Sequence, residues 1–231
     1  ALRDMVQNHL LQLLALVAMG PPDSFQADRL RDEKVKVLRA VRPLRIAEDT
    51  VRGQYIGYRN TEGVAFDSQT PTYAALKLYI DNWRWEGIPF YLRSGKALKH
   101  KVSEIVVQFR RPPHAIFNLP AGKDFTTNLI SLCIQPDEGI HQRFEAKVPD
   151  SIQDTRSVDM EFHYASSFGE ESIPDAYERL LMDALKGDAS LFTRADGIEA
   201  EWQVIDPIIA GWQSQSETPP LANYEAGSWG P

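Results

Sequence analysis

Histidine is the side chain best suited to moving a proton near neutral pH, and this chain has five, at positions 9, 100, 114, 141 and 163. His9 stands out because it falls in an otherwise apolar run over residues 3–19, where an imidazole needs a partner and where its ordinary titration range suits proton abstraction. On spacing alone the plainer reading is the commoner one, a core histidine satisfied by hydrogen bonds. Asp4 lies five residues earlier, about 140° round an α-helix at about 100° per residue. It is therefore a poor orienter of His9, and it caps the helix start or binds something else. No histidine falls in an H-x-x-x-H or Cys/His spacing, so no metal site is expected.

A second candidate is the stretch 90–101, where Arg93, Lys96, Lys99 and Lys101 place four fixed positive charges within nine residues of an acidic chain. Ser94-Gly95 marks a turn after a strand, and lysines on a turn with free backbone N–H groups suit a phosphate. The plain alternative is a solvated basic hairpin tip. Trp83-Arg84-Trp85 could stack a ligand, but aromatics before a strand are more often core. Gln135-Pro136-Asp137-Glu138 is a turn whose amide could bond sugar hydroxyls, or simply a turn. Asp175 to Arg179 opens as a capped helix with an i,i+4 ion pair, and Cys133 in an apolar strand is expected to be a small core residue. The glycines make neither G-x-G-x-x-G nor G-x-x-x-x-G-K-[ST], so no self-contained dinucleotide or phosphate loop is expected.

These residues need elements to hold them. Residues 3–19 read as a buried helix stopped by Gly20-Pro21-Pro22, and Leu30, Lys34, Val37, Leu38 and Val41 mark a second over about 27–41 with a charged face at Arg31-Asp32-Glu33. From Pro43 to about 164 the apolar period drops to two. Seven strands are expected at 51–57, 73–80, 88–93, 104–109, 128–134, 142–148 and 158–164, with no helix between them. Short links exclude βαβ crossovers, which predicts an α+β fold: one large, mainly antiparallel sheet with helices packed on one face. Two helices follow, about 175–185 and 195–212, the latter kinked or broken near Pro207, and the tail from 214 reads as irregular. No linker divides the chain.

Composition bounds the rest. Of 231 residues, 43% are hydrophobic and 25% charged, which is globular. A net charge of −7 argues against a general nucleic-acid or anionic-membrane binder. The apolar stretch 10–19 is too short to span a bilayer and lacks the basic flank of a signal peptide. The single cysteine fits a reducing, cytoplasmic setting, with organellar targeting left open. Because the chain starts at Ala1 directly in a helix, it is expected to be a fragment.

Seven blocks together resemble the glucose-6-phosphate dehydrogenase family: 3–12 (RDMVQNHLLQ), 31–37 (RDEKVKV), 51–55 (VRGQY), 82–90 (NWRWEGIPF), 93–97 (RSGKA), 135–138 (QPDE) and 174–180 (PDAYERL). They span nearly the whole chain in family order. The resemblance implies that residues 1–231 are the C-terminal substrate-binding and dimerising domain. The NADP-binding Rossmann domain and an Asp-His-Tyr-Leu-Gly-Lys segment are absent from this sequence. It implies oxidation of glucose 6-phosphate to the lactone with reduction of NADP, the first step of the oxidative pentose phosphate pathway, in a complete homo-oligomeric enzyme. By resemblance His9 is the general base, and Asp4, Lys96, Lys101 and Gln135 bind substrate. The vertebrate type holds a second, structural NADP with basic residues; the matching positions here are Val102, Val106, Cys133 and Trp229, although Arg93 and Asp175 are retained, so no such site is expected. The isolated chain should be inactive. The alternatives are a non-catalytic phosphosugar-binding or oligomerisation module, or a relative using another hexose phosphate or NAD.

Overall fold

The structure is a computed structural model that describes residues 1–111, 127–152, 154–169, 176–214 and 218–231. It divides into two compact units, residues 1–99 with 180–231, and residues 100–179. The sequence offers no linker at either junction, because the first, at Lys99–His100, falls in short polar chain between two strands and the second, at Arg179–Leu180, falls within a helix, Ala176–Lys186.

In the first unit a π-helical segment, Leu2–Leu10, runs into α1 (Leu11–Ala18), followed by α2 (Ala27–Arg39) and the short α3 (Ile46–Asp49). The continuous helix expected at 3–19 is thus present but changes its winding at Leu10. Three strands follow, β1 (Thr50–Tyr55), β2 (Tyr73–Leu78) and β3 (Phe90–Gly95). The four-stranded sheet has the order β3-β2-β1-β8, where β8 is Leu221–Tyr224. β1 to β3 pair antiparallel, whereas β1 and β8 are parallel. The sequence reading missed β8, since Leu-Ala-Asn-Tyr is too short to show alternation.

Ala74, Leu76, Leu78 and Ile80, alternate positions along one extended segment, are all at most 2% exposed. They pack with Leu2, Val6, Leu11, Leu14, Ala15 and Ala18 of the first helical run and with Val204, Ile205, Ile208 and Trp212 of α6 (Ala195–Gln213). α6 is one helix through Pro207, so of the expected kink or break the break does not occur. Buried anchors at Val204, Ile205, Ile208 and Trp212 lie on both sides of the proline, and packing there offsets the lost backbone donor. The Arg31-Asp32-Glu33 face of α2 is half-buried rather than wet, because Arg194 donates to Asp28, Asp32 and Asp196.

The second unit holds β4 (Ser103–Gln108), β5 (Leu129–Gln135), β6 (Gly139–Lys147) and β7 (Thr155–His163), an antiparallel sheet in that order, followed by the short α4 (Tyr164–Phe168). The α+β class holds, but the strands divide between two four-stranded sheets rather than joining one. Alternation marks which side of a strand is apolar, not which strand it will pair with. In the second sheet the register aligns Ile105, Leu132, Ile140 and Phe162 in one row and Val107, Ile130, Gln142 and Met160 in the next on the same face. The opposite face carries Glu104, Cys133 and His163, then Val106, Ser131, His141 and Glu161. Cys133 is therefore half-exposed on the polar face, with Sγ 3.7 Å from the Gln135 carbonyl, and not in a core. α5 is described from Ala176 to Lys186; Pro174, Asp175, the Asp175–Arg179 pair and His114 lie outside the described residues.

The core of the first unit gives a direct expectation. Ile205→Ala should lower the unfolding free energy by about 2–5 kcal/mol in denaturant titration. Ile152→Ala, 88% exposed in the second unit, should change it by less than about 0.5 kcal/mol.

Candidate active site

The π-helical segment carries Asp4 and His9, and its winding changes their relation. Hydrogen bonding from residue i to i+5 brings residues five apart onto one side of the helix, so Asp4 and His9 share a face that α-helical spacing would have separated. Both are exposed, whereas Leu2, Val6 and Gln7 are buried. Asp4 does not cap the helix; the N-terminal position is Ala1, with no side-chain cap. Among the described residues no side chain or carbonyl bonds the Asp4 carboxylate or the His9 ring. His9 is thus not the satisfied core histidine that its apolar surroundings suggest.

Lys96 follows β3, which packs against the π-helical segment together with β2.

The turn bearing Lys96 is fixed through its backbone. Its N–H donates to the Thr72 carbonyl at 2.9 Å, and its carbonyl accepts from Tyr224 Oη at 2.8 Å. Tyr224, 3% exposed, also shares a 2.9 Å hydrogen bond with Thr72 Oγ1. Beyond Lys96, Gly227 N donates to the Ala97 carbonyl and Lys99 N to Ser228, both at 2.8 Å. A Cβ on Gly95 would lie 2.7 Å from the Tyr73 ring, so the residue before Lys96 must be glycine for the turn to close against β2. The Lys96 side chain stays exposed. Arg93, from the same basic stretch, is spent differently, its guanidinium lying 5.2 Å from the Trp229 ring centre.

Lys101 and Gln135 belong to the second unit. Both side chains are exposed, and Gln135 ends β5 where a cis peptide joins it to Pro136. The tryptophan pair separates: Trp85 packs edge-on against Phe90 and donates from Nε1 to the Ala18 carbonyl at 2.8 Å, while Trp83 is fully exposed rather than core. His141 and His163, in no ligand spacing, sit on carboxylates instead. His141 Nε2 is 3.0 Å from Asp159 Oδ1, and His163 Nδ1 is 3.0 Å from Asp137 Oδ2.

Sequence reasoning missed Glu201. This α6 residue is 2% exposed and accepts from Gln7 Nε2 at 3.0 Å on Oε2 and from Gln12 Nε2 at 2.5 Å on Oε1. Lys34 Nζ lies 3.3 Å from Gln12 Oε1. Burial pushes the Glu201 carboxyl up to about 7, against the Gln12 bond and the Lys34 charge, which pull it down. The signal in the sequence was weak: Glu201 is one of several acidic residues of α6, beside Glu199 and Asp206, and its partners are 194 and 189 positions away.

The raised value has a definite sign. The native state holds this proton more tightly than the unfolded chain, so its contribution to stability is complete below about pH 4.5 and is lost as pH rises through about 7. The melting temperature should fall between about pH 5 and about pH 8, and Glu201→Gln should flatten that fall, read by thermal unfolding across pH.

Residues 1–231 match the family described as glucose-6-phosphate dehydrogenase, C-terminal domain. The chain is 45% identical to glucose-6-phosphate 1-dehydrogenase 2 of Mycobacterium bovis, covering all of this chain and 46% of that protein. It is also 45% identical to glucose-6-phosphate 1-dehydrogenase of Aggregatibacter actinomycetemcomitans, covering 48% of it. The crystal structure of the Mycobacterium avium enzyme superposes with a TM-score of 0.84 at 45% identity, over all of this chain and 47% of that one. A glucose-6-phosphate dehydrogenase in complex with its substrate glucose-6-phosphate superposes at 0.90 and 36% identity, over all of this chain and 48% of that one. The chain spans about half the length of these relatives. With the full length matched and identities well above those at which fold alone is shared, the chain belongs to the glucose-6-phosphate dehydrogenase family, as its C-terminal domain.

Proposed function

We propose that the protein carrying this chain oxidises glucose 6-phosphate to 6-phosphogluconolactone with reduction of NADP, and that the chain supplies the proton acceptor and part of the substrate site. The observation that carries this reading is the exposed group of Asp4, His9 and Lys96 within one unit of a chain from this family. None of the three side chains makes a hydrogen bond or ion pair among the described residues, so each is available to a ligand.

In this reading the 1-hydroxyl of the sugar loses its proton to a ring nitrogen of His9 as the C1 hydride departs. A positioned base contributes ~10²–10⁴ in rate, about 3–5 kcal/mol of barrier. Asp4 accepts from sugar hydroxyls, and Lys96 places its ammonium against the phosphate as a point charge. Lys101 and Gln135 are proposed as further substrate contacts, supported by the resemblance and by their exposed side chains.

NADP, as the hydride acceptor, supplies the redox chemistry. By the resemblance, that NADP is bound mainly by the Rossmann domain, which this sequence does not include, and the second, structural NADP is a separate site. Val102, Val106, Cys133 and Trp229 bring no cation to the positions where the vertebrate type binds a structural NADP, and Arg93 is stacked on Trp229. No step is therefore assigned to this chain through the cofactor. A homo-oligomer, at least a dimer, is proposed through the sheet of the second unit. The support is its apolar face, on which Ile140, Val107 and Met160 are 40%, 39% and 60% exposed.

Two substitutions test the roles in the full-length protein, followed by NADPH absorbance. His9→Ala should lower kcat at least ~100-fold with KM for glucose 6-phosphate little changed; turnover near the parent value would leave a binding or oligomerisation module. Lys96→Met should instead raise KM roughly 10-fold or more, as expected for a lost charge-assisted phosphate contact. An unchanged KM would remove Lys96 from the site.

A further inference from the structure

Gln7 and Gln12 bracket His9 in sequence, two residues before it and three after, and they lie on either side of Leu10, where the π-helical winding gives way to α1. Both amides donate to the same carboxylate, one to each oxygen of Glu201. A carboxylate of fixed width, held on a continuous helix at 2% exposure, sets how far apart those amides sit. That distance depends on how the chain between them is wound. An α-helical winding throughout would place Gln7 and Gln12, five residues apart, on different sides of the helix. The wider winding lets both reach one partner, and the same winding sets the direction from which His9 leaves the helix.

We infer that Glu201 is the positioning residue for His9, holding the π-helical winding through Gln7 and Gln12 and thereby the orientation of the proton acceptor. The inference rests on the role proposed above for His9.

The ionised carboxylate can accept on both oxygens, whereas its protonated form presents a hydroxyl that must donate. Gln12 Oε1 is already engaged by Lys34, so protonation costs one of the two amide bonds and releases one side of the clamp. The groups facing Glu201 are few. The first helical run presents the uncharged amides of Gln7 and Gln12, and α2 presents Lys34. α3 meets α6 through Ile46 at Gly211, and its charged residues pair among themselves, Arg45 with Glu48 and Asp49. Loss of the clamp by protonation should appear as a second ionisation on the acidic side of the rate profile, beyond that of the base.

The test uses the full-length protein with glucose 6-phosphate and NADP, comparing Glu201→Gln, Gln7→Leu and His9→Ala with the parent. Glu201→Gln should lower kcat roughly 10-fold, in line with the steep dependence of rate on the placement of a catalytic group, with KM changed less than about two-fold. The acidic limb of its kcat profile should reduce to a single ionisation where the parent limb is steeper. Gln7→Leu removes one bond while leaving the carboxylate in place, and should give a smaller loss, also in kcat alone. This second variant decides the matter if Glu201→Gln fails to fold. A parent-like kcat and pH profile in the folded variants overturns the inference, and so does a KM that rises in step with the loss of kcat. Near-parent turnover of His9→Ala would instead overturn the underlying reading of His9, separately from the behaviour of Glu201.

Discussion

The burial of the first helical run against β2 and α6 is the constraint on which the site depends. Leu2, Val6, Leu11, Leu14, Ala15 and Ala18 sit at 5% exposure or less, so the helix cannot rotate without bringing apolar area into water at about 25 cal/mol per Å². With that face inward, the opposite one is outward, and Asp4 and His9 are on it. Gln7 is the exception among the inward residues, and it is satisfied by the one carboxylate buried beside it. A buried amide left without a partner would cost about 1–3 kcal/mol, so this polar contact selects one rotation and one winding of the helix, where apolar packing alone would tolerate several.

The basic turn is placed by a different device. Lys96 is carried by a backbone tied at both its N–H and its carbonyl, to Thr72 and Tyr224, and the following residues are tied to the chain end at Gly227 and Ser228. The tying residues come from β8 and the segment after it, which pairs parallel to β1. The lysine stem keeps its freedom while its root is held, as suits a charge that meets an anion without needing fixed directional bonds. In the second unit the sheet is amphipathic, with Ile105, Leu132, Ile140 and Phe162 in a row on one face and His141, Glu161 and Ser131 on the other. Gly139 is the only fully buried residue among its described ones.

The sequence by itself determined the local character of most elements: a helical run at 3–19, the strands with one apolar side, and a short list of residues able to do chemistry. These are legible because period and turn chemistry depend on neighbours within a few positions. Ser94-Gly95, read as a turn, instead end β3 in register with Ala74 and Tyr73, and the chain turns only from Lys96. The family resemblance added roles to that list, which spacing had left open between catalysis and plain structure.

Tertiary structure decided what depended on partners far along the chain. Strand alternation did not say that seven strands would divide between two sheets, nor that a four-residue segment at Leu221 would complete the first. Helical spacing put Asp4 and His9 on different faces. The winding that puts them on one side is sustained by Glu201, nearly two hundred residues later. Trp83 and Cys133 read as core by type and lie exposed and half-exposed by position. In each case the residue type states only what a side chain would gain by burial or bonding. Whether it gains it is settled by which distant residue the fold brings to it, a long-range property that no local pattern encodes.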